Sequence, residues 1–336
     1  MALHRDLQNV VDWAWRARRS IINASRDRES GKYKIYGHLC GVVSRNGGCS
    51  DAELAHFARQ LRTLLLQKSF VSSKWTGKAT FKLQTGVFRE LGNLDAIPTT
   101  EWKGAFIHVY RNKRMSCRER VYLNLSETFR ATAFAWIVRR IWDVDGLKSA
   151  KVAAPGNSLR RDSALVYCRD ANTRNEVIEI VKRYQEQNPQ FFKPELPRLV
   201  ASVAIGIGYG AEPVLAGVQR LEDGGVKIEK KGQSFSLLRA ELIYCALEES
   251  ISPMRSPKVP NAMRTGFRSS DMTMERRRLA QDPVQGLQAQ AVRQYHEFSA
   301  ELEKFSFELN VQKYFRRFGL DPEHPELQAD INIRDI

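Results

Sequence analysis

The sequence predicts a chain of mixed helices and strands: a helical N-terminal region, a strand-rich centre and a long C-terminal helix. Three observations predict it. Apolar residues recur at helical spacing over 51–67, 127–142 and 285–315. Apolar and polar residues alternate along Arg120–Leu125 and Asp162–Cys168, the period of a strand with one buried face. The alternating runs gather in the middle of the chain, and helical patterns dominate both ends.

Taken in order, residues 2–24 read as one helix, with Leu7, Val10, Val11, Trp13, Ala14 and Ile21 among many arginines. Residues 25–50, rich in Gly, Ser, Arg and Asn, read as a loop around a short apolar stretch, Tyr33–Val43. In the helix 51–67, Asp51 is the expected cap and Leu54, Phe57, Ala58, Leu61, Leu64 and Leu65 share a face. Thr80–Leu83, Gly86–Glu90, Ala105–Tyr110 and Arg120–Leu125 read as short strands between turn residues. Ser126 is placed to cap the helix 127–142, with Phe129, Ala133, Trp136, Ile137 and Ile141 on one face and Gly146 as the stop. A strand at Ala150–Ala154, a Pro155–Ser158 turn, a strand at Asp162–Cys168 and a helix at 170–187 follow. Ala201–Ile207 reads as a strand, and Gly206, Gly208 and Gly210 as a turn that needs glycine's conformational range. A helix at 235–248, an exposed loop at 251–284 and the helix 285–315 complete the chain. Along the last helix Leu287, Ala291, Tyr295, Phe298, Leu302, Phe305 and Leu309 form a near-heptad seam. The plain expectation is a helix packed on its own domain; the other is a coiled-coil contact with a partner. The resulting organisation is 1–73, an N-terminal helical region; 74–250, the core; 251–284, a linker; and 285–336, a C-terminal helix and tail.

Composition bounds the function. The 336 residues are 43% hydrophobic and 27% charged, enough to bury a sizeable core. No apolar run is long enough to span a membrane, and Met1–Asp6 does not begin a secretory signal, so a cytoplasmic location is expected. Lys plus Arg total 53 against 38 acids, a formal +15, which favours an anionic partner without naming one. Five widely spaced cysteines without a CxxC and six scattered histidines indicate neither disulfides nor a metal, and no cofactor is expected. A nucleic acid is not the expected partner: the charge is spread over helix faces, and no RNP1, KH or helix-turn-helix pattern occurs. The phosphate-binding loops and catalytic motifs of kinases, the GxSxG elbow and HExxH are also missing.

Four blocks carry the remaining signal. Alternation along 120–125 puts Arg120, Tyr122 and Asn124 on one face and Val121, Leu123 and Leu125 on the other. Lys151 lies in the next strand, and Arg160 and Arg161 lie across a hairpin-length connection from it. Within 160–167, Arg161, Ser163, Leu165 and Tyr167 alternate against Asp162, Ala164 and Val166. Arg239 sits in the first turn of a helix, where a cation opposes the dipole unless it reaches an anion. Cations and phenols on neighbouring strands suit a phosphate or another oxyanion. Each has a plainer reading: Lys151 as a solvated edge charge, Arg160 and Arg161 as turn residues, Asp162 as an acceptor holding an arginine, Tyr122 and Tyr167 as core aromatics. His108, on the strand Ala105–Tyr110, is either an acid–base residue or a strand-surface histidine.

Together these blocks resemble the Hrp-outer-protein A family of type III effectors, which includes the lyase component of class V lanthipeptide and thioamitide biosynthesis. The resemblance rests on RVYLNL (120–125), AKV (150–152), Arg160, Asp162, Ala164, Val166 and Tyr167, the segment 191–213, SFSLLRAEL (234–242) and the ending 319–335. It implies an α+β fold with a mixed or antiparallel sheet core flanked by helices. It also implies a phosphoserine/phosphothreonine lyase, which removes an α-proton and expels phosphate to leave dehydroalanine or dehydrobutyrine. The order of Lys151, Arg160 or Arg161, and Tyr167 is similar to that of the phosphothreonine lyases. On this reading Lys151 is the base, and Arg160, Arg161, Arg239 and Asn124 bind phosphate. Tyr122, Tyr167 or Lys193 serves as hydrogen-bond donor or acid, in an order left open; Asp162 and Glu212 give structural support. The implied partners are a phosphorylated precursor peptide and a kinase-like phosphotransferase. The alternative is a non-enzymatic effector, injected into a host cell, that binds a host protein through a cationic groove.

Overall fold

The computed structural model describes residues 3–23, 28–41, 50–67, 80–82, 88–90, 106–156, 160–212, 218–220, 226–228, 235–251 and 283–327. Eight strands form one sheet in the order β2-β1-β3-β5-β6-β4-β8-β7, and every pairing in it is antiparallel. The strands are β1 (Thr80–Lys82), β2 (Phe88–Glu90), β3 (Phe106–Tyr110), β4 (Glu119–Leu123), β5 (Leu147–Ala153), β6 (Ala164–Cys168), β7 (Ala201–Ala204) and β8 (Ile207–Ala211). A separate ribbon pairs β9 (Val218–Arg220) with β10 (Val226–Ile228). The fold is α+β.

Helices cover both faces. Outside lie α4 (Asp51–Leu66), α5 (Arg130–Ile141) and α6 (Ala171–Gln187), whose apolar faces pack with Val121, Leu123, Val152, Ala164 and Val166 of the sheet. Inside lies α7 (Phe235–Ile251), which meets the sheet through Phe235 against Tyr122 and Leu165. Its far side joins a second core with α1 (Arg5–Arg16), α3 (Arg28–Cys40) and α8 (Pro283–Arg317). α7 is buried almost all round, as a helix between two apolar layers must be.

Several elements differ from the sequence expectation. The first helix breaks at Ala17 into α1 and α2 (Arg18–Asn23). The expected loop at 25–50 contains α3: Ile35, Leu39 and Cys40 are buried, and Gly31 lies so close to α7 that a Cβ there would stand 2.4 Å from the Tyr244 ring. Its glycines and charges weaken the helical signal, and tertiary packing supplies the stability. Ser50, not Asp51, caps α4, in a capping box with Glu53. A short 3-10 turn, Glu127–Phe129, precedes α5, and Ser126 makes no side-chain cap bond there. The run 201–211 is a hairpin: Gly206 turns with φ +69°, whereas Gly208 and Gly210 lie inside β8. Those two glycines leave room for neighbours, since a Cβ would stand 2.6 Å from the Ala201 carbonyl oxygen at 208 and 2.5 Å from the Phe235 ring at 210. Most of the expected 251–284 linker lies outside the described residues. No helix among those described is long and apolar enough to cross a membrane.

Candidate active site

Antiparallel register turns the inner face of the sheet into rows of side chains. One row runs His108, Lys151, Leu165, Tyr122, Gly208 across β3, β5, β6, β4 and β8. The adjacent row runs Tyr110, Ser149, Tyr167, Arg120, Gly210. Laterally paired residues on one face stand within side-chain reach, so residues 43 positions apart, such as His108 and Lys151, become neighbours.

Lys151 is the centre of this face. Its Nζ lies 4.2 Å from the centre of the Phe106 ring and 5.7 Å from that of Tyr167. Arg160 stands over the same Phe106 ring at 4.7 Å, so two cations share one aromatic platform. Arg160 is fixed by an ion pair with Asp162 (2.6 Å) and donates from Nη2 to the Tyr36 hydroxyl of α3 (2.7 Å). Burial works against the Arg160 charge, but the Asp162 carboxylate outweighs it and holds the guanidinium protonated. Its bonds to Asp162 and Tyr36 leave Nη1 uncommitted among the described residues.

The second row supplies phenols and another cation. Burial alone would push the Tyr167 phenol up, yet the charges of Lys151 and Arg120 more than offset it, and the phenol lies below its usual 10.0. Arg120 sits 5.0 Å over the Tyr167 ring and is bound by both oxygens of Glu212. His108 stacks between the Tyr110 and Tyr167 rings, at 5.8 and 6.3 Å, and its Nδ1 is 3.5 Å from the Tyr110 hydroxyl. Tyr122 is fully buried beneath Phe235, its phenol pushed up by burial. Its hydroxyl lies beside Arg120 and Arg239, without a well-aligned hydrogen-bond partner among the described residues.

The structure thus gathers Lys151, Tyr167, Arg160 and Asp162, with Tyr122 one strand away on β4 and Glu212 just past β8. It does not bring Arg161, Arg239, Asn124 or Lys193 into the group. Arg161 turns toward the end of α3, where its N–H donates to the Cys40 carbonyl (3.0 Å). Arg239 is 0% exposed; it lies 3.4 Å over the Phe235 ring and donates to the carbonyls of Pro325 (2.7 Å) and Phe235 (3.2 Å). Asn124 and Lys193 sit past the other end of β4, where the Lys193 N–H donates to the Asn124 carbonyl (2.8 Å) and the Asn124 amide to that of Glu195. Phe106, Tyr110, Ser149 and Tyr36 were missed. The first two were within reach, because Phe106, His108 and Tyr110 alternate against the apolar Ile107 and Val109. An amine and a fixed guanidinium over one ring, beside a lowered phenol and an imidazole stacked on it, can bind an oxyanion and move a proton next to it. No group of His, Cys, Asp and Glu among the described residues is arranged to hold a metal ion.

No match to the chain is found among curated proteins. Two solved structures share the fold at 15% identity and a TM-score of 0.52 each. One is the effector protein from Pseudomonas syringae pv. tomato strain DC3000, with 89% of this chain and 90% of that chain covered. The other is the effector protein from Pseudomonas syringae pv. syringae strain 61, with 96% of each chain covered. The family model of the HopA1 effector protein family matches residues 105–327, which include β3 to β8, α7 and every residue of the Lys151 cluster except Tyr36. With two thirds of its length matched, the chain belongs to the HopA1 effector protein family.

Proposed function

We propose that the Lys151 face is the active site of a lyase that eliminates phosphate from phosphoserine or phosphothreonine in a peptide. The observation that carries this reading is the pairing of Lys151 and Arg160 over the single Phe106 ring, beside a Tyr167 phenol already lowered by cations. The Lys151 amine takes the α-proton and becomes the ammonium. The released electron pair forms the Cα–Cβ double bond, and the Cβ–O bond breaks with its electrons leaving on phosphate. Arg160, through its uncommitted Nη1, holds the phosphate as its charge grows. Tyr167 orients the Lys151 amine, and Arg120, fixed by Glu212, sets the position of the Tyr167 ring. The partners on this reading are a phosphorylated precursor peptide and the kinase-like phosphotransferase that phosphorylates it. Arg161, Arg239, Asn124 and Lys193 are held elsewhere, so the reading rests on Lys151, Arg160, Tyr167 and Arg120.

The test incubates the folded protein with phosphoserine and phosphothreonine peptides and follows inorganic phosphate and the peptide mass. The expected result is loss of one phosphoric acid per peptide, reduced by roughly 100-fold or more in Lys151→Ala. A folded wild type that releases no phosphate from any peptide of a broad panel overturns the reading.

The family membership favours a second reading: an effector delivered into a host cell that acts by binding a host protein. It expects a stable complex with a host protein that survives Lys151→Ala, with no phosphate released.

A further inference from the structure

Two arginines meet at the end of α3 with no acid paired to either. The Arg161 N–H donates to the Cys40 carbonyl (3.0 Å) and the Arg198 N–H to the Leu39 carbonyl (2.9 Å). These backbone bonds satisfy successive carbonyls of the helix end, so neither guanidinium is needed there as a cap. The Arg161 side chain crosses Gly41, where a Cβ would stand 2.8 Å from its Cγ. Gly41 is left-handed (φ +70°), the conformation that closes a helix and also clears this path. Neither guanidinium has an ion pair or a hydrogen bond among the described residues, and Nε of Arg198 is buried without a partner. Beside them the His38 ring lies flat on Trp13, and its Nε2 is also buried without a partner. Burial, then the charge of Arg161, lower the Arg198 guanidinium, and Asp6 offsets them only in part. Burial, then Arg198 and Arg161, lower the His38 imidazole. Three basic groups converging on one place, with buried donors unmet, are costly until an anion joins them.

We infer that Arg161, Arg198 and His38 form a second oxyanion subsite, which takes an aspartate or glutamate carboxylate of the substrate peptide. Naming that peptide as the occupant rests on the lyase reading above. Position favours it, because the chain neighbours of both arginines border the Lys151 face. Arg160, next to Arg161, stands over the Phe106 ring. Leu196 and Val200, on either side of Arg198, pack with Phe106, Tyr122 and Leu165. Leu199 between them has φ 66°, the only positive φ of a non-glycine residue among those described. This strained turn sends Leu199 into the helical core and Val200 onto the sheet, and so holds Arg198 at the seam between the two. Chemistry favours it as well. A guanidinium fork binds a carboxylate through paired N–H bonds, and His38 Nε2 donates a third kind of bond in the tautomer that carries its proton there. Geometry sets the spacing. Arg160 touches Tyr36 and Arg161 crosses Gly41, two points about 8 Å apart along α3. An extended peptide covers such an interval in about two to four residues. One short segment then places its phosphate on Arg160 and its carboxylate on the second pair.

Calorimetric titration of the full chain tests this. The ligands are phosphoserine peptides with one glutamate two, three or four residues to either side, each compared with its glutamine twin. Lys151→Ala protein keeps the peptides intact during binding, and the wild type is assayed in parallel for phosphate release. At least one glutamate position is expected to bind about 10-fold tighter than its twin. Arg161→Gln with Arg198→Gln in the same background is expected to bring that ratio to about one. Its melting temperature is expected to hold or rise, because two unpaired cations are removed. Arg161→Gln alone is expected to cut the ratio by about 3-fold or more, and decides the matter if the double variant does not fold. Equal affinity for the twins at every position overturns the proposal, and so does a preference that survives the substitutions. Inorganic phosphate is titrated separately: binding that the double substitution abolishes, without any glutamate preference, assigns the pair to a free anion and overturns the peptide assignment. Phosphate release keeps the two readings apart. Release with no glutamate preference sinks the subsite alone, whereas a glutamate preference with no release by the wild type sinks the lyase and keeps the subsite.

Discussion

Lys151 biases the charge state of the Tyr167 phenol, and this makes the site measurable without a substrate. The Tyr167 phenol is lowered because Lys151 and Arg120 outweigh the burial that raises it. Lys151→Met removes one of those cations, so Tyr167 is expected to ionise at higher pH. Ultraviolet titration of tyrosinate, with Tyr167→Phe identifying the transition, checks this; an unmoved transition would separate the two groups. His38 offers a second residue-scale test. It stacks on Trp13 at 3.8 Å, and burial, with help from the nearby Arg198 and Arg161, lowers its imidazole from 6.5 to about 4. The unfolded chain therefore takes up this proton before the folded one does. The stability tied to a neutral His38 is complete above about 6.5 and is lost as pH falls toward about 4. With the ring only half-buried and partly screened, the loss is roughly 1–2 kcal/mol. His38→Phe is expected to flatten the pH dependence of urea unfolding in that window.

At the scale of elements, the capping box of α4 gives the cleanest expectation. Ser50 accepts from the Glu53 N–H, and Glu53 accepts from the Ser50 N–H, so two end donors of the helix are satisfied. Ser50→Ala is expected to cost about 1 kcal/mol in chemical denaturation, and Asp51→Ala clearly less. The same helix shows what the sequence made legible. Its apolar stripe of Phe57, Ala58, Leu61 and Leu65 is the face buried against the sheet, and β4 and β6 present the two faces that alternation predicts. Those elements carry their own period. α3 does not: Gly31 and Gly37 dilute its pattern, and only the close approach to Tyr244 explains why glycine stands at 31. The site was legible to the same degree. Lys151, Arg160 and Tyr167 come together because one hairpin joins their strands. Register between β3 and β5, which no local pattern encodes, adds His108, Tyr110 and Phe106. Arg239 misled for a related reason. A first-turn cation reads as aimed at an anion, but here two backbone carbonyls take that role.

Across the whole molecule, α7 joins the sheet core to the helical core, and Arg239 ties the C-terminal segment to both. Its Nε donates to the Pro325 carbonyl; next in the chain, the Glu326 carbonyl accepts from the Ala211 N–H of β8 (2.9 Å), and the Pro322 carbonyl accepts from the His4 N–H (2.9 Å). One buried side chain therefore links α7, the edge region of the sheet and the N-terminus. Keeping it charged is costly, and burial lowers the guanidinium to about 9. The charge alone would destabilise the fold, so what Arg239 contributes is volume over Phe235 and donors to carbonyls that would otherwise be buried without one. Two substitutions separate these parts. Arg239→Ala removes both and is expected to cost about 3 kcal/mol. Arg239→Met keeps most of the volume, sheds the desolvated charge, loses the donors, and is expected to cost roughly 1–2 kcal/mol. Hydrogen exchange locates the effect: the Ala211 amide is expected to lose protection in both variants, while the Val121 and Val166 amides in the middle of the sheet keep theirs. A Met variant as stable as the wild type, with Ala211 still protected, would show that the C-terminal segment is held by its own apolar contacts and that Arg239 is not the tie.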